Sequence, residues 1–308
     1  MISVGVVGLG LKNPYTYAPI LAGMGAEVRY VWDYNPRNAE EFAKAFGCKV
    51  IEDLSGFPFR SVDAALVESR NCDHCTHADL ILSNGIPVFV EKPLSNNCDE
   101  ALSFLRRHEG DPFFSCSPLR LSGTYKSMAE RGHQDCKEHI SLCRVTVLHT
   151  MEHFLSNPDK AWHDRVTEGG GMFVDIGIHA VELLNMFMKG LPLRISHHSV
   201  KSFYKKAESD DLHTVVLTYA DHSIGEISLL CATSELDYSV EIYTPRSSLI
   251  NSRSNKFLDN DDRPENAYGG FVGTMRGLLS IINSGIPPID PKETERNFSL
   301  LKMILSAQ

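Results

Sequence analysis

Up to about residue 116 the chain repeats one unit, a short apolar run followed by an amphipathic stretch. The runs are Ser3–Val7, Glu27–Asp33, Asp63–Glu68, Pro87–Glu91 and Phe113–Cys116. Between them, Arg37–Phe46, His74–Ser83 and Asp99–His108 carry leucine, phenylalanine or alanine at helical spacing, with Gly47 and Asn84-Gly85 as stops. Short strands alternating with helices predict a doubly wound parallel sheet, an α/β unit covered on both faces. Beyond Pro118 the period changes. Ile140–Leu148, Ile195–Phe203, Leu212–Tyr219, Ser223–Cys231 and Tyr238–Tyr243 alternate like strands with one wet face, which predicts a large, mostly antiparallel open sheet. One helix, Phe173–Met188, interrupts this α+β part, and Ala267–Asn283 and Lys292–Ser306 close it. The expected division is 1–118 and 119–308, with a polar loop over Asn251–Glu265.

Charge narrows the partners. With 30 basic against 39 acidic residues the net charge is -9, and the longest basic cluster, Lys201 to Lys206, is interrupted, so no nucleic-acid partner is expected. No apolar run is long enough to cross a bilayer, and the first residues read as a core strand rather than a signal peptide. These features and the 8 scattered cysteines predict a cytoplasmic protein with reduced thiols and no membrane partner. Cys72-Asp73-His74-Cys75-Thr76-His77 has no second cysteine pair to close a zinc site, so no metal is expected.

The turn after the first strand is Gly8-Leu9-Gly10-Leu11-Lys12-Asn13, and Asp33 ends the next strand. In that context the first glycine permits a tight turn, the second a close approach to a pyrophosphate, and the acid accepts from ribose hydroxyls. Gly8, Gly10, Leu11, Asn13 and Asp33 are therefore the expected dinucleotide contacts of a Rossmann domain. Asn13 stands where a third small residue usually lies, so the following helix should start later or stand further from the sheet. A carboxylate at Asp33 would repel a 2′-phosphate, which favours NAD over NADP, and Arg37 is read as a helix-surface residue.

Two further motifs carry chemistry. Glu91-Lys92-Pro93 ends a strand at the edge where such sheets bind ligands, and Gly169-Gly170-Gly171-Met172-Phe173-Val174-Asp175-Ile176-Gly177-Ile178-His179 opens a helix with Asp175 and His179 on one face. They supply a cationic donor, an imidazole and a carboxylate able to orient it. At these positions, over nearly its whole length, the chain resembles the glucose–fructose oxidoreductase/inositol dehydrogenase (Gfo/Idh/MocA) family. The resemblance implies an NAD(P)-dependent dehydrogenase of sugars or polyols whose Lys92, Asp175 and His179 line the substrate, a cis Lys92-Pro93 bond, and a homodimer or homotetramer formed through the open sheet. A second family stretch, Ser69-Arg70-Asn71-Cys72-Asp73-His74, adds Ser69, Asn71 and His74 to the expected cofactor contacts, with Glu91 and Lys92. Asn71 reads equally as a helix cap.

His179 is expected to take the proton of a substrate hydroxyl, because an imidazole titrates near neutrality. Lys92 donates to the same oxygen, and Asp175 anchors the substrate. Arg120, Trp162 and His163 complete the expected substrate contacts, with His149 and His153 nearby. Two other readings remain open: a dinucleotide-binding sensor without catalysis, and an NAD-dependent lyase or glycosidase that oxidises its substrate transiently.

Overall fold

The computed structural model describes residues 1–135, 139–251 and 270–307. The expected loop Asn251–Glu265 lies outside the described residues after its first position, as does the start of the helix expected from Ala267.

The first sheet contains β1 (Ile2–Val7), β2 (Ala26–Trp32), β3 (Lys49–Val50), β4 (Ala64–Val67), β5 (Val88–Val90) and β6 (Phe113–Phe114). Its order is β3-β2-β1-β4-β5-β6 and every pairing is parallel. The order reverses at β1, which opens a crevice outside the carboxyl ends of β1, β2 and β4. Around this sheet lie α1 (Asn13–Gly23), α2 (Pro36–Phe46), α3 (His74–Leu82) and α4 (Cys98–Arg107). Their ends follow local chemistry. Asn35 accepts the Arg37 N–H at the start of α2, Gly47 ends it at φ 72°, and Asn97 accepts the Asp99 and Glu100 N–H groups at the start of α4. Helix α1 starts only at Asn13, with Pro14 in its first turn, as the missing third small residue requires.

Next come α5 (Gly123–Asp135) and α6 (Glu152–Leu155), flanking β7 (Leu142–Thr150). Neither helix is legible in the sequence: α5 has a glycine inside it, and α6 is a single turn. The second sheet adds β8 (Arg194–Val200), β9 (Leu212–Thr218), β10 (Ile224–Leu230), β11 (Ala232–Tyr243) and β12 (Ser248–Asn251), in the order β12-β11-β7-β10-β9-β8. Only β7 and β10 run parallel.

The expected single helix Phe173–Met188 is two, α7 (Gly171–Asp175) and α8 (Gly177–Phe187), broken at Ile176. Helix α8 covers one face of the second sheet, packing on β7 and β10, while on the other face Arg144 bridges Glu226 and Glu241 at 2.6 and 3.3 Å. The chain then crosses back. Helix α9 (Phe271–Ser284) buries Met275, Leu278 and Ile281 in the same apolar cluster as Val4 and Phe89 of the first sheet and Tyr17 of α1, and α10 (Pro291–Leu305) packs on both α4 and α8.

Candidate active site

A cleft of about 290 Å³ lies over the carboxyl ends of β1 and β2, lined by Gly10, Lys12, Asp33, Tyr34, Arg70, Lys160 and Trp162, among others. The loop above β1 packs tightly on the end of β4. Gly8 sits at φ 90°, and a Cβ there would lie 2.4 Å from the Cα of Ser69; one on Gly10 would lie 2.9 Å from the Ser69 carbonyl oxygen. The glycines are thus required first by the chain's own backbone rather than by approach to a pyrophosphate. Asp33 accepts from Leu9 N–H at 2.6 Å, Asn35 N–H at 2.9 Å and the Asn38 amide at 3.1 Å. A carboxylate offers about four acceptor positions, so one is left for a ribose hydroxyl. A concave cleft with that acceptor at one end fits an adenosine half, and no 2′-phosphate suits it.

A second cleft, of about 330 Å³, adjoins the first and is lined by Leu11, Asn13, Glu91, Lys92, His149, His153, His163, Asp175 and His179, with Phe154, Leu119, Tyr238 and Phe271 among its apolar residues. Lys92 emerges just beyond β5, and the Lys92-Pro93 bond is cis. Its Nζ donates to the Asp175 carbonyl at 2.8 Å and to Asp175 Oδ1 at 3.3 Å. The other carboxylate oxygen, Oδ2, accepts from His163 Nδ1 at 2.7 Å, and the Asn71 amide donates to Oδ1 at 3.1 Å. Burial opposes the charge on Asp175, but Lys92, His163 and Asn71 overcome it and hold the carboxyl far below its ordinary range.

Asp175 does not orient His179, because the break at Ile176 separates their helices; it orients Lys92 and His163. His179 leans instead on Ser117, with Nδ1 and Oγ 2.6 Å apart, and Ser117 donates its N–H to Glu182 at 2.8 Å. Burial, reinforced by Lys92 and His149, pushes the His179 pKa well down, so the ring is neutral. Its Nε2 has no hydrogen-bond partner among the described residues. Burial likewise lowers His163, whose Nδ1 proton is fixed by Asp175 and whose Nε2 is buried and unpartnered.

These two clefts meet at a switch point in a parallel sheet, beside a lysine, a carboxylate and two neutral imidazoles. The family comparisons agree with that geometry. A model described as the oxidoreductase family, NAD-binding Rossmann fold, matches residues 2–110, and one described as the GFO/IDH/MocA C-terminal domain matches residues 141–250. The chain belongs to the GFO/IDH/MocA oxidoreductase family. It is an oxidoreductase with an NAD-binding Rossmann domain. It is similar to the myo-inositol dehydrogenase Hyg17 of Streptomyces leeuwenhoekii, 25% identical over 284 residues that cover 90% of this chain and 82% of that protein. Among solved structures, GenD2 from gentamicin A biosynthesis, in complex with NAD, shares the fold at a TM-score of 0.85 and 19% identity, covering 99% of this chain and 93% of that one. The WlbA dehydrogenase from Bordetella pertussis, in complex with NADH and UDP-GlcNAcA, does so at 0.81 and 19% identity, over 99% and 95%. Among the described residues, no helix is long and apolar enough to cross a membrane.

Within this GFO/IDH/MocA site several expected contacts lie elsewhere. Asn71 is no helix cap; it is buried, and its amide ties the Gly169 carbonyl at 2.8 Å as well as Asp175. His74 is buried between the carbonyl oxygens of Pro93 and Ser69, at 2.7 and 3.0 Å, and burial lowers it to about 4. The Ser69 hydroxyl meets His77 at 2.8 Å. These three residues brace the loops after β4 and β5 and line neither cleft. Arg120 also lies away from the second cleft, paired with Glu293 beside Glu182, and Trp162 lines the first cleft. Asn13 hydrogen-bonds the Glu91 carboxyl, which also accepts from Tyr17 at 3.0 Å and from the Lys92 N–H. Arg70 pairs with Glu168 at 3.2 Å.

Four residues had no prominence in the sequence. Ser117 partners His179 across the join between sheets. Glu68, just past β4, is fully buried, with both carboxylate oxygens unpartnered among the described residues; burial and then Glu91 push its pKa well up. An acid ending the run Ala64-Ala65-Leu66-Val67 was its visible signal. Lys12 and Lys160 line both clefts. Cys72 and Cys75 sit at the start of α3, where burial pushes Cys72 to about 11 and Cys75 higher still, which keeps both as thiols.

Proposed function

We propose that this chain oxidises a secondary hydroxyl of a sugar or cyclitol, passing the hydride to NAD, with His179 as the base. The observation that supports this reading most is the convergence, in one cleft, of a neutral imidazole with a free Nε2 and a lysine ammonium fixed by a buried carboxylate. When bound, NAD would supply the hydride acceptor, and Asp33 and Lys92 would be the residues that hold it. His179 Nε2 takes the hydroxyl proton, and Ser117 at Nδ1 keeps the ring turned toward the cleft. Lys92 donates a hydrogen bond to the same substrate oxygen and stabilises it as the proton leaves. Asp175 holds Lys92 in place and fixes the His163 tautomer, leaving His163 Nε2 as an acceptor for a neighbouring hydroxyl.

The polar set along one part of the cleft and the apolar residues Leu119, Tyr238 and Phe271 along another suit a ring with hydroxyl groups and C–H faces. The relative named a myo-inositol dehydrogenase is consistent with that class. A thermal-shift screen of NAD and NADP, each with a panel of sugars and cyclitols, followed by reduced-nicotinamide absorbance, tests the proposal. Stabilisation by NAD without NADH formation from any member of the panel would favour the sensor reading. NADH formed in proportion to product supports the dehydrogenase over a lyase or glycosidase, which consumes no net NAD.

A further inference from the structure

Where the two clefts join, the chain places two lysines. Lys12 and Lys160 each line both clefts, and among the described residues neither is ion-paired with a carboxylate. Lys12 stands immediately before α1, in the exposed loop above β1, and Lys160 reaches the same place from the turn Pro158–His163. Among the described residues the only hydrogen bond of Lys160 Nζ runs 2.8 Å to His153 Nε2, a neutral acceptor whose own pKa is lowered by burial and then by Lys160. Burial, and next the charge of Lys12, depress the pKa of Lys160. The first turn of α1 adds to the positive potential, because Lys12 makes no side-chain cap there. Like charges held together at the junction of an adenosine-sized cleft and a catalytic cleft lack a counter-charge.

We infer that Lys12 and Lys160 form a two-sided clamp on the pyrophosphate of the dinucleotide, one lysine from each half of the molecule. The inference rests on the proposed use of NAD. It assigns the phosphate grip to side chains, because the backbone N–H groups of Gly8 and Gly10 already donate to the Trp32 and Glu68 carbonyls, at 2.7 and 2.8 Å.

Calorimetry on the full chain tests this with three probes: NAD, ADP-ribose, which keeps the pyrophosphate without nicotinamide, and adenosine, which has neither. Lys12→Met and Lys160→Met should each weaken NAD and ADP-ribose about tenfold, the worth of one partly exposed charge-assisted contact, and leave adenosine within about twofold. Added salt should weaken wild-type binding more steeply than that of either variant. Lys12→Arg and Lys160→Arg, which keep the charge, should restore most of the affinity and so separate loss of charge from loss of fold. Variants that bind ADP-ribose as wild type does would overturn the clamp while leaving the NAD reading intact. The clamp would equally fall if the Met variants raised only the substrate KM, since the cations would then serve an anionic substrate. A wild-type chain that bound neither NAD nor ADP-ribose would overturn the cofactor reading and the clamp with it.

Discussion

Asp175→Asn removes the charge around which the candidate site is assembled while keeping the side chain's shape. In the wild-type protein the fully buried carboxylate meets Lys92 Nζ at 3.3 Å, His163 Nδ1 at 2.7 Å and the Asn71 amide at 3.1 Å. Removing one partner of a buried pair typically costs about 3–5 kcal/mol. Lys92 keeps the Asp175 carbonyl at 2.8 Å, so the lower end, about 3 kcal/mol, is expected. The amide also either presents N–H to His163 Nδ1, which forces the ring to its other tautomer, or turns it on Lys92. The pH dependence has a definite sign. A depressed carboxyl pKa contributes stability above the unfolded value, about 3.9, that is lost as pH falls through the folded one. The difference between wild type and variant should therefore be flat from about pH 5 to 8 and narrow only below about pH 4. Urea unfolding followed by the fluorescence of Trp162, which stacks on His163 with ring centroids 3.6 Å apart, measures it. A loss below about 1 kcal/mol, or a difference that widens toward acid, would refute the reasoning.

Glu182 is pushed up to about 7, by burial against the opposing pull of Arg120, so wild-type stability should fall as pH rises from about 4.5 to 7, by roughly 3 kcal/mol. Glu182→Gln should flatten that slope, and a variant whose melting temperature tracks wild type across this range would show that Glu182 stays ionised. Asp33→Ser should move cofactor preference toward NADP; an unchanged ratio of affinities would mean that Asp33 does not read the ribose. The face of the second sheet opposite α8, with Val216 exposed on β9, should form a homo-oligomer interface, and light scattering that shows only monomer at micromolar concentration would remove that assignment.

The parallel sheet was legible because its strands β4 and β5 are buried on both faces and read as unbroken apolar runs, and the ends of α2 and α4 because asparagine and glycine act locally. The strands at the far edges, β3 and β12, are too short to leave a pattern. Lys92, Asp175 and His179 could be placed in one site from their motifs, yet their wiring could not. The break at Ile176 turns Asp175 away from His179, and nothing in an eleven-residue motif ending in two helical stretches announces it. Ser117 and Glu182 are far apart in the chain, so their joint hold on His179 exists only after the sheets dock. The same is true of Lys12 and Lys160. The reason for Gly8 and Gly10 also came from tertiary structure, since the neighbour they must clear is Ser69.

The most direct test of the account measures His179→Ala twice, for steady-state turnover on an active sugar or cyclitol and for NAD affinity by calorimetry. Loss of the base that receives the hydroxyl proton predicts turnover reduced by about 10²–10⁴-fold, with NAD affinity within about twofold of wild type. Wild-type turnover in the variant would contradict the assignment of His179 as the base, and so would a parallel collapse of NAD binding, which would make the residue structural.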